Sequence, residues 1–151
     1  MPVGKLKEFL DANGVKYLVI SHSKAYTAME AAESSHVKGK DFAKTVMVKL
    51  DGKLAMVVLP ATQKVDLERL RLAAKAVNTE IASEPDFKAD FPGCELGAMP
   101  PFGNLYGMQV YVDPSLAEDE EIAFNAGSHT EVVRMAYRDF ERLVKPLALP
   151  R

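Results

Sequence analysis

A chain of 151 residues with 48% hydrophobic content has the size and apolar share of one domain built around a single core. A formal net charge of −2 and a pI near 5.9 exclude coating of nucleic acid or an anionic membrane through bulk charge, though not a local basic patch. One cysteine, Cys94, excludes an intramolecular disulfide and fits a reducing compartment, the cytoplasm by default. No apolar run approaches the roughly 20 residues of a membrane span, and M-P-V-G-K-L-K-E lacks the apolar stretch of a signal peptide; a soluble, unexported protein with no membrane contact is expected.

Leu6, Phe9 and Leu10 form one face of a first helix that Asn13-Gly14 stops. Val15 to Ile20, β-branched and aromatic, predicts a strand. Thr27 and Glu30 have capping-box spacing for a helix running to about Ser34, before a polar, basic loop. Asp51-Gly52 between T-V-M-V-K-L and K-L-A-M-V-V-L predicts a hairpin with a type I′ turn. Its second strand is apolar on both faces and is expected to be central. Asp66 is placed to cap a helix carrying Leu67, Leu70, Ala74 and Val77 on one side, and Ser83-Glu-Pro-Asp86 to start another that ends before Pro92. Met108 to Val112 and Glu121 to Asn125 read as strands, with Asp113-Pro114-Ser115 a turn between them. An apolar pattern resumes at Glu131 to Met135, and Tyr137, Phe140, Leu143 and Val144 mark a last helix. Without strict strand–helix alternation, this order predicts an α+β fold: one domain over residues 1–151, with a mixed, mainly antiparallel sheet flanked by helices.

The stretch Gly93 to Gly103, G-C-E-L-G-A-M-P-P-F-G, can be neither helix nor strand. Its apolar residues Leu96, Met99 and Phe102 suit either the wall of a binding pocket or a crossover that plugs the core. Cys94 beside it has no histidine near in sequence to make it a nucleophile. His22, His36 and His129 stand at no recognised metal-ligand spacing, and no metal or cofactor is expected. The H-x-E of His129-Thr-Glu131 lacks the P-C-x-x-C of zinc deaminases. Neither G-x-G-x-x-G nor a P-loop occurs, and no G-x-S-x-G surrounds Ser128, whose Ser128–Glu131 spacing also fits a capping box. Lys44 opens the hairpin, where an ammonium can sit at a pocket rim or simply be solvated.

Together A-K-T-V at Ala43 to Val46, the Gly93 to Gly103 loop, and F-N-A-G-S-H-T-E at Phe124 to Glu131 resemble the YbaK family of aminoacyl-tRNA deacylases. That family includes the editing domain inserted in bacterial prolyl-tRNA synthetases, and the A-G-S-H stretch makes the inserted type the nearer one. The resemblance runs from about Leu18 to Pro146. It implies a YbaK-like fold and metal-free hydrolysis of the ester joining a mischarged amino acid to the terminal ribose of tRNA. It also implies a catalytic set of Lys44, Gly97, Ala98, Met99, Pro101 and His129, with the Ala98 and Met99 amides as oxyanion donors. Met29, Leu96, Phe102, Asn125, Gly127 and Ser128 are expected to surround the amino acid. Lys38, Lys40 and Lys44 form a cluster placed to meet the tRNA acceptor end, while Arg134, Arg138 and Arg142 read as an ordinary exposed helix face. The expected function is trans-editing of a small amino acid, alanine on proline tRNA as the first guess, with an aminoacyl-tRNA synthetase as a possible partner. The alternative class is a non-catalytic module that binds an aminoacyl-tRNA end or a free amino acid.

Overall fold

The computed structural model describes residues 4–150; Met1 to Val3, the start of the stretch read for a signal peptide, lie outside them. In chain order the elements are α1 (Gly4–Ala12), β1 (Tyr17–Ser21), α2 (Ala28–Ser34), β2 (Ala43–Leu50), β3 (Lys53–Pro60), α3 (Leu67–Ala74) and β4 (Thr79–Ile81). There follow α4 (Glu84–Phe87), β5 (Gln109–Val112), β6 (Glu121–Asn125), β7 (Glu131–Ala136), α5 (Tyr137–Val144) and β8 (Leu147–Ala148). This is the mixed α+β fold expected. Five strands pair in the order β4-β2-β3-β5-β8, with β3–β5 and β5–β8 parallel, and three more pair antiparallel as β1-β7-β6. A parallel bridge between Phe42 and Ala123 joins the two sheets.

The hairpin forms as read, with Asp51 and Gly52 both at positive φ (51° and 85°), the signature of a type I′ turn. Central β3 is buried on both faces. Met56 and Val58 enter the main core with Leu6, Phe102, Phe124 and Phe140, while Val57 and Leu59 pack on the other side with Leu70 of α3 and Tyr111. The Asp51 carboxylate also accepts the main-chain N–H groups of Val77 (3.0 Å) and Asn78 (2.8 Å), and so ties down the chain that enters β4. The capping box of α2 is present: Glu30 N–H donates to Thr27 Oγ1 (3.1 Å) and Thr27 N–H to Glu30 Oε1 (3.0 Å).

Four local expectations change. Val77 is not on α3, because Lys75 takes a left-handed conformation (φ 56°) that ends the helix and leaves Val77 exposed. The turn at Asp113 is the start of a 3₁₀ helix, Pro114–Glu118, which the Asp113 carboxylate caps by accepting Ser115 N–H (2.9 Å). No helix begins at Ser128, since Glu131 opens β7 as the antiparallel partner of β6. Arg134 lies on β7, paired with Glu121 at 3.0 Å, whereas Arg138 and Arg142 lie on α5; the three do not form one helix face.

Asp119, at the junction before β6, is held near Asp41. Burial, and then the hydrogen bond and charge of Asp41, push its carboxyl up from 3.8 to about 6, while Lys40 opposes the shift. With both groups ionised, Asp119 Oδ2 is buried without a donor; one proton turns the approach into a hydrogen bond. The folded chain therefore keeps a proton that the unfolded chain releases between pH 3.8 and about 6. Stability falls as pH rises through that window. Asp119→Asn is expected to raise the melting temperature at pH 7.5, by an increment no larger than ~1 kcal/mol for so partly exposed a pair. It should leave the value at pH 4 nearly unchanged; equal shifts at both pH values count against the pairing.

Candidate active site

Two loops are clasped by their main chains. Glu95 N–H donates to Gly127 O (2.8 Å), Gly127 N–H to Ala98 O (2.9 Å) and Ala98 N–H to Glu95 O (3.0 Å), closing a ring of three bonds between the Gly93–Gly103 loop and the turn joining β6 to β7. The loop divides into two halves of different burial. Its second half is a core plug: Ala98 to Gly103 are all buried. Its first half, Glu95 to Gly97, reaches the surface beside His129.

His129 is held from every side. Its N–H donates to Glu95 Oε2 (3.1 Å), its carbonyl accepts Ala25 N–H (3.0 Å), and its ring lies 5.1 Å from that of Tyr26, tilted by 51°. Imidazole Nε2 is 3.5 Å from Glu95 Oε2. Gly97 has φ 88°, and a Cβ built there would meet His129 Cε1 at 3.6 Å. Space is thus adequate but the backbone angle is not, so Gly97→Ala is expected to cost about 1–2 kcal/mol of stability. Urea denaturation reads that cost; a variant as stable as the parent would refute the strained angle.

Lys44 sits at the start of β2 opposite Leu59, half-buried, with Nζ 3.5 Å from Ala61 O as its only polar contact among the described residues. Burial, and then the charge of Lys64, push its ammonium below the usual lysine range. Among the described residues no carboxylate pairs with it. Ala61 packs in one small apolar cluster with Ala25, Ala31, Ala32 and Phe42. Ala25 is the residue held by His129 O, so the entry to α2 links the lysine to the histidine. No hydrogen bond or ion pair joins Lys44 directly to His129. Met29 of α2, half-exposed, lies against Gly39.

Several expected roles are redrawn. The Ala98 amide is spent on Glu95 O, and Gly97 N–H faces only the Met99 sulfur at 3.2 Å, a weak acceptor. Among the described residues no acceptor takes the Met99 N–H, although the residue lies in the buried half of the loop. The Phe102 side chain is fully buried between Phe9, Phe124 and Phe140 and offers no surface to a ligand. Pro101 is likewise buried and acts on loop shape alone, whereas Leu96 and Asn125 are half-exposed. Gly127 belongs to the clasp, and Ser128 Oγ is turned to Thr130 Oγ1 (3.3 Å). The lysine cluster separates in space: Lys38 lines a groove of about 190 Å³ with Arg134, Lys40 a different one of about 290 Å³ with Thr62 and Ser115. Cys94 lies 3.6 Å from Tyr106 Oη, and burial pushes its thiol up, against any nucleophilic use. Among the described residues no group of three or more His, Cys, Asp or Glu converges as metal ligands.

Glu95 and Tyr26, which complete the surroundings of His129, carried no signal of their own. A lone glutamate in a glycine-proline loop and a tyrosine ahead of a helix cap are both ordinary.

The aminoacyl-tRNA editing domain family matches residues 22–143, and the chain belongs to that family. It is 27% identical over 147 residues to the multifunctional Ser/Thr-tRNA deacylase ProXp-y of Escherichia coli K12, covering 94% of this chain and 87% of that one. A proline–tRNA ligase of Corynebacterium diphtheriae is 32% identical over 97 residues, 60% of this chain and 16% of the ligase. Among solved structures, a candidate trans-editing enzyme for prolyl tRNA synthetase superposes with a TM-score of 0.80 at 17% identity, over 95% of this chain and 92% of that one, which shows a shared fold. The protein is an aminoacyl-tRNA deacylase of the editing type.

Proposed function

We propose that the chain hydrolyses the ester of a small amino acid wrongly attached to tRNA, serine before alanine, at the end of the molecule that carries Lys44, His129 and the Met99 amide. The observation that carries this reading is Lys44: a half-buried ammonium with no counter-charge among the described residues is held ready for an electron-rich oxygen of the substrate. Ester hydrolysis needs a positioned carbonyl, a held water and a donor for the oxyanion that forms as water adds. The Met99 N–H supplies the donor, Lys44 binds the carbonyl or the terminal phosphate, and His129 orients the aminoacyl group or the water. Collapse of the tetrahedral intermediate breaks the bond to the ribose oxygen, which leaves with a proton. Lys44 then meets the acceptor end, with Lys38 and Lys40 lining two separate grooves, and a chain of net charge −2 grips only that end of the tRNA.

Serine is placed first because the relative from E. coli is named for serine and threonine. Alanine on proline tRNA, the expectation from sequence, remains the second arm, since the proline–tRNA ligase match bears on the tRNA partner. The same reading places the chain in the cytoplasm beside a synthetase. The test is single-turnover deacylation of tRNA charged with serine, threonine, alanine, cysteine or proline. Serine is expected to be released fastest and proline spared, and His129→Ala is expected to slow the preferred substrate by at least about tenfold. Equal rates for all five, or an unaffected His129→Ala variant, refute the reading.

A further inference from the structure

We infer that Glu95 is a positioning residue for His129, an inference that rests on the hydrolysis reading above. One carboxylate oxygen, Glu95 Oε2, serves the histidine twice: it accepts the His129 main-chain N–H at 3.1 Å and lies 3.5 Å from imidazole Nε2. The two contacts fix different things. The first ties the histidine backbone to the Gly93–Gly103 loop, and the second places a carboxylate beside the ring nitrogen. Tyr26 covers a ring face and Gly97 lies against Cε1, so the carboxylate is the polar member of the set that surrounds the imidazole.

Glu95 is free to do this because its own place does not depend on its side chain. Its N–H is bound to Gly127 O and its carbonyl to Ala98 N–H, both main-chain bonds that survive truncation. The side chain is half-exposed, 50% against 12% for that of His129, so it contributes little to the core. A group that is anchored by backbone, exposed at its tip and bonded to one largely covered partner acts through that partner.

The experiment compares the full chain with Glu95→Ala, Glu95→Gln, His129→Ala and the double variant Glu95→Ala/His129→Ala, measuring kcat and KM separately on the preferred mischarged tRNA, thermal melting, and exchange of the His129 amide proton. Glu95→Ala is expected to lower kcat by about 10- to 100-fold, the scale of a small misplacement, with KM within about threefold. Its melting temperature should hold within about 2 °C, and the His129 amide should exchange faster. Glu95→Gln keeps an oxygen to accept that amide and should recover most of kcat and of the protection. In the His129→Ala background, Glu95→Ala should cost nothing further, because residues acting as a unit are not additive. An unchanged kcat in Glu95→Ala, a glutamine as poor as alanine, or an equal further loss in the His129→Ala background overturns the inference while leaving the hydrolysis reading in place. An unaffected His129→Ala variant removes that reading, and this inference with it.

Discussion

Lys44→Met is expected to lower kcat/KM for deacylation by at least about 100-fold while leaving the protein as stable as before or slightly more so. On the proposed reading, the activity loss follows from removing a half-buried cation that has no carboxylate partner among the described residues, on the scale of an electrostatic group aimed at developing charge. The stability expectation follows from the same fact. A half-buried ammonium whose only polar contact among the described residues is a long one to Ala61 O, with burial and Lys64 both working against its charge, contributes strain to the folded state. Methionine keeps the aliphatic stem packed beside Ala61 and drops the charge. Single-turnover rates and thermal melting on the same preparation decide the matter. A variant that loses activity and also melts well below the parent would show Lys44 to be a structural residue, and a variant with unchanged rates would remove it from the site. Lys44→Arg separates charge from shape: the charge stays but the compact donor becomes a planar fork, and recovery of less than about a tenth of the parent rate is expected.

The residues that could be read from sequence are those whose role is local. The Asp51-Gly52 turn, the Thr27–Glu30 capping box and the doubly apolar β3 depend on neighbours a few positions away, and each is present as expected. What escaped depends on distant chain. β4 exists because the Asp51 carboxylate accepts two amides 26 and 27 residues later, and β8 because Tyr111 and Val112 offer a free parallel edge. Both strands are too short, at three and two residues, to carry a period of their own. The site divides in the same way. Lys44, the glycine-proline loop and His129 stood out as motifs, but the split of that loop into a surface half and a buried half is set by its clasp to the β6–β7 turn. The spending of the Ala98 amide and the approach of Glu95 to His129 are consequences of the same clasp, and no local pattern announces them.

Phe102 is where that division has its largest energetic consequence. Read from sequence its ring belongs to the pocket; in the structure it is the centre of an aromatic set, with ring centroids 6.1 Å from Phe9, 5.5 Å from Phe124 and 5.6 Å from Phe140. Those partners come from α1, β6 and α5, so one side chain joins three elements that are remote in sequence. Phe102→Ala is therefore expected to cost about 3–5 kcal/mol, a large part of the ~5–15 kcal/mol that holds a typical domain together. At this chain length that corresponds to a fall in melting temperature of roughly 10 °C. Phe102→Leu keeps most of the volume and loses the ring contacts, and about 1–2 kcal/mol is expected. Urea denaturation gives both numbers. Deacylation measured well below the transition then tells the two roles apart, because a ring that touches substrate would change KM in the leucine variant. The structure instead predicts an unchanged KM with lower stability, while Phe102→Ala, whose cavity lets the buried half of the loop sag, should lower kcat as the Met99 amide moves out of place.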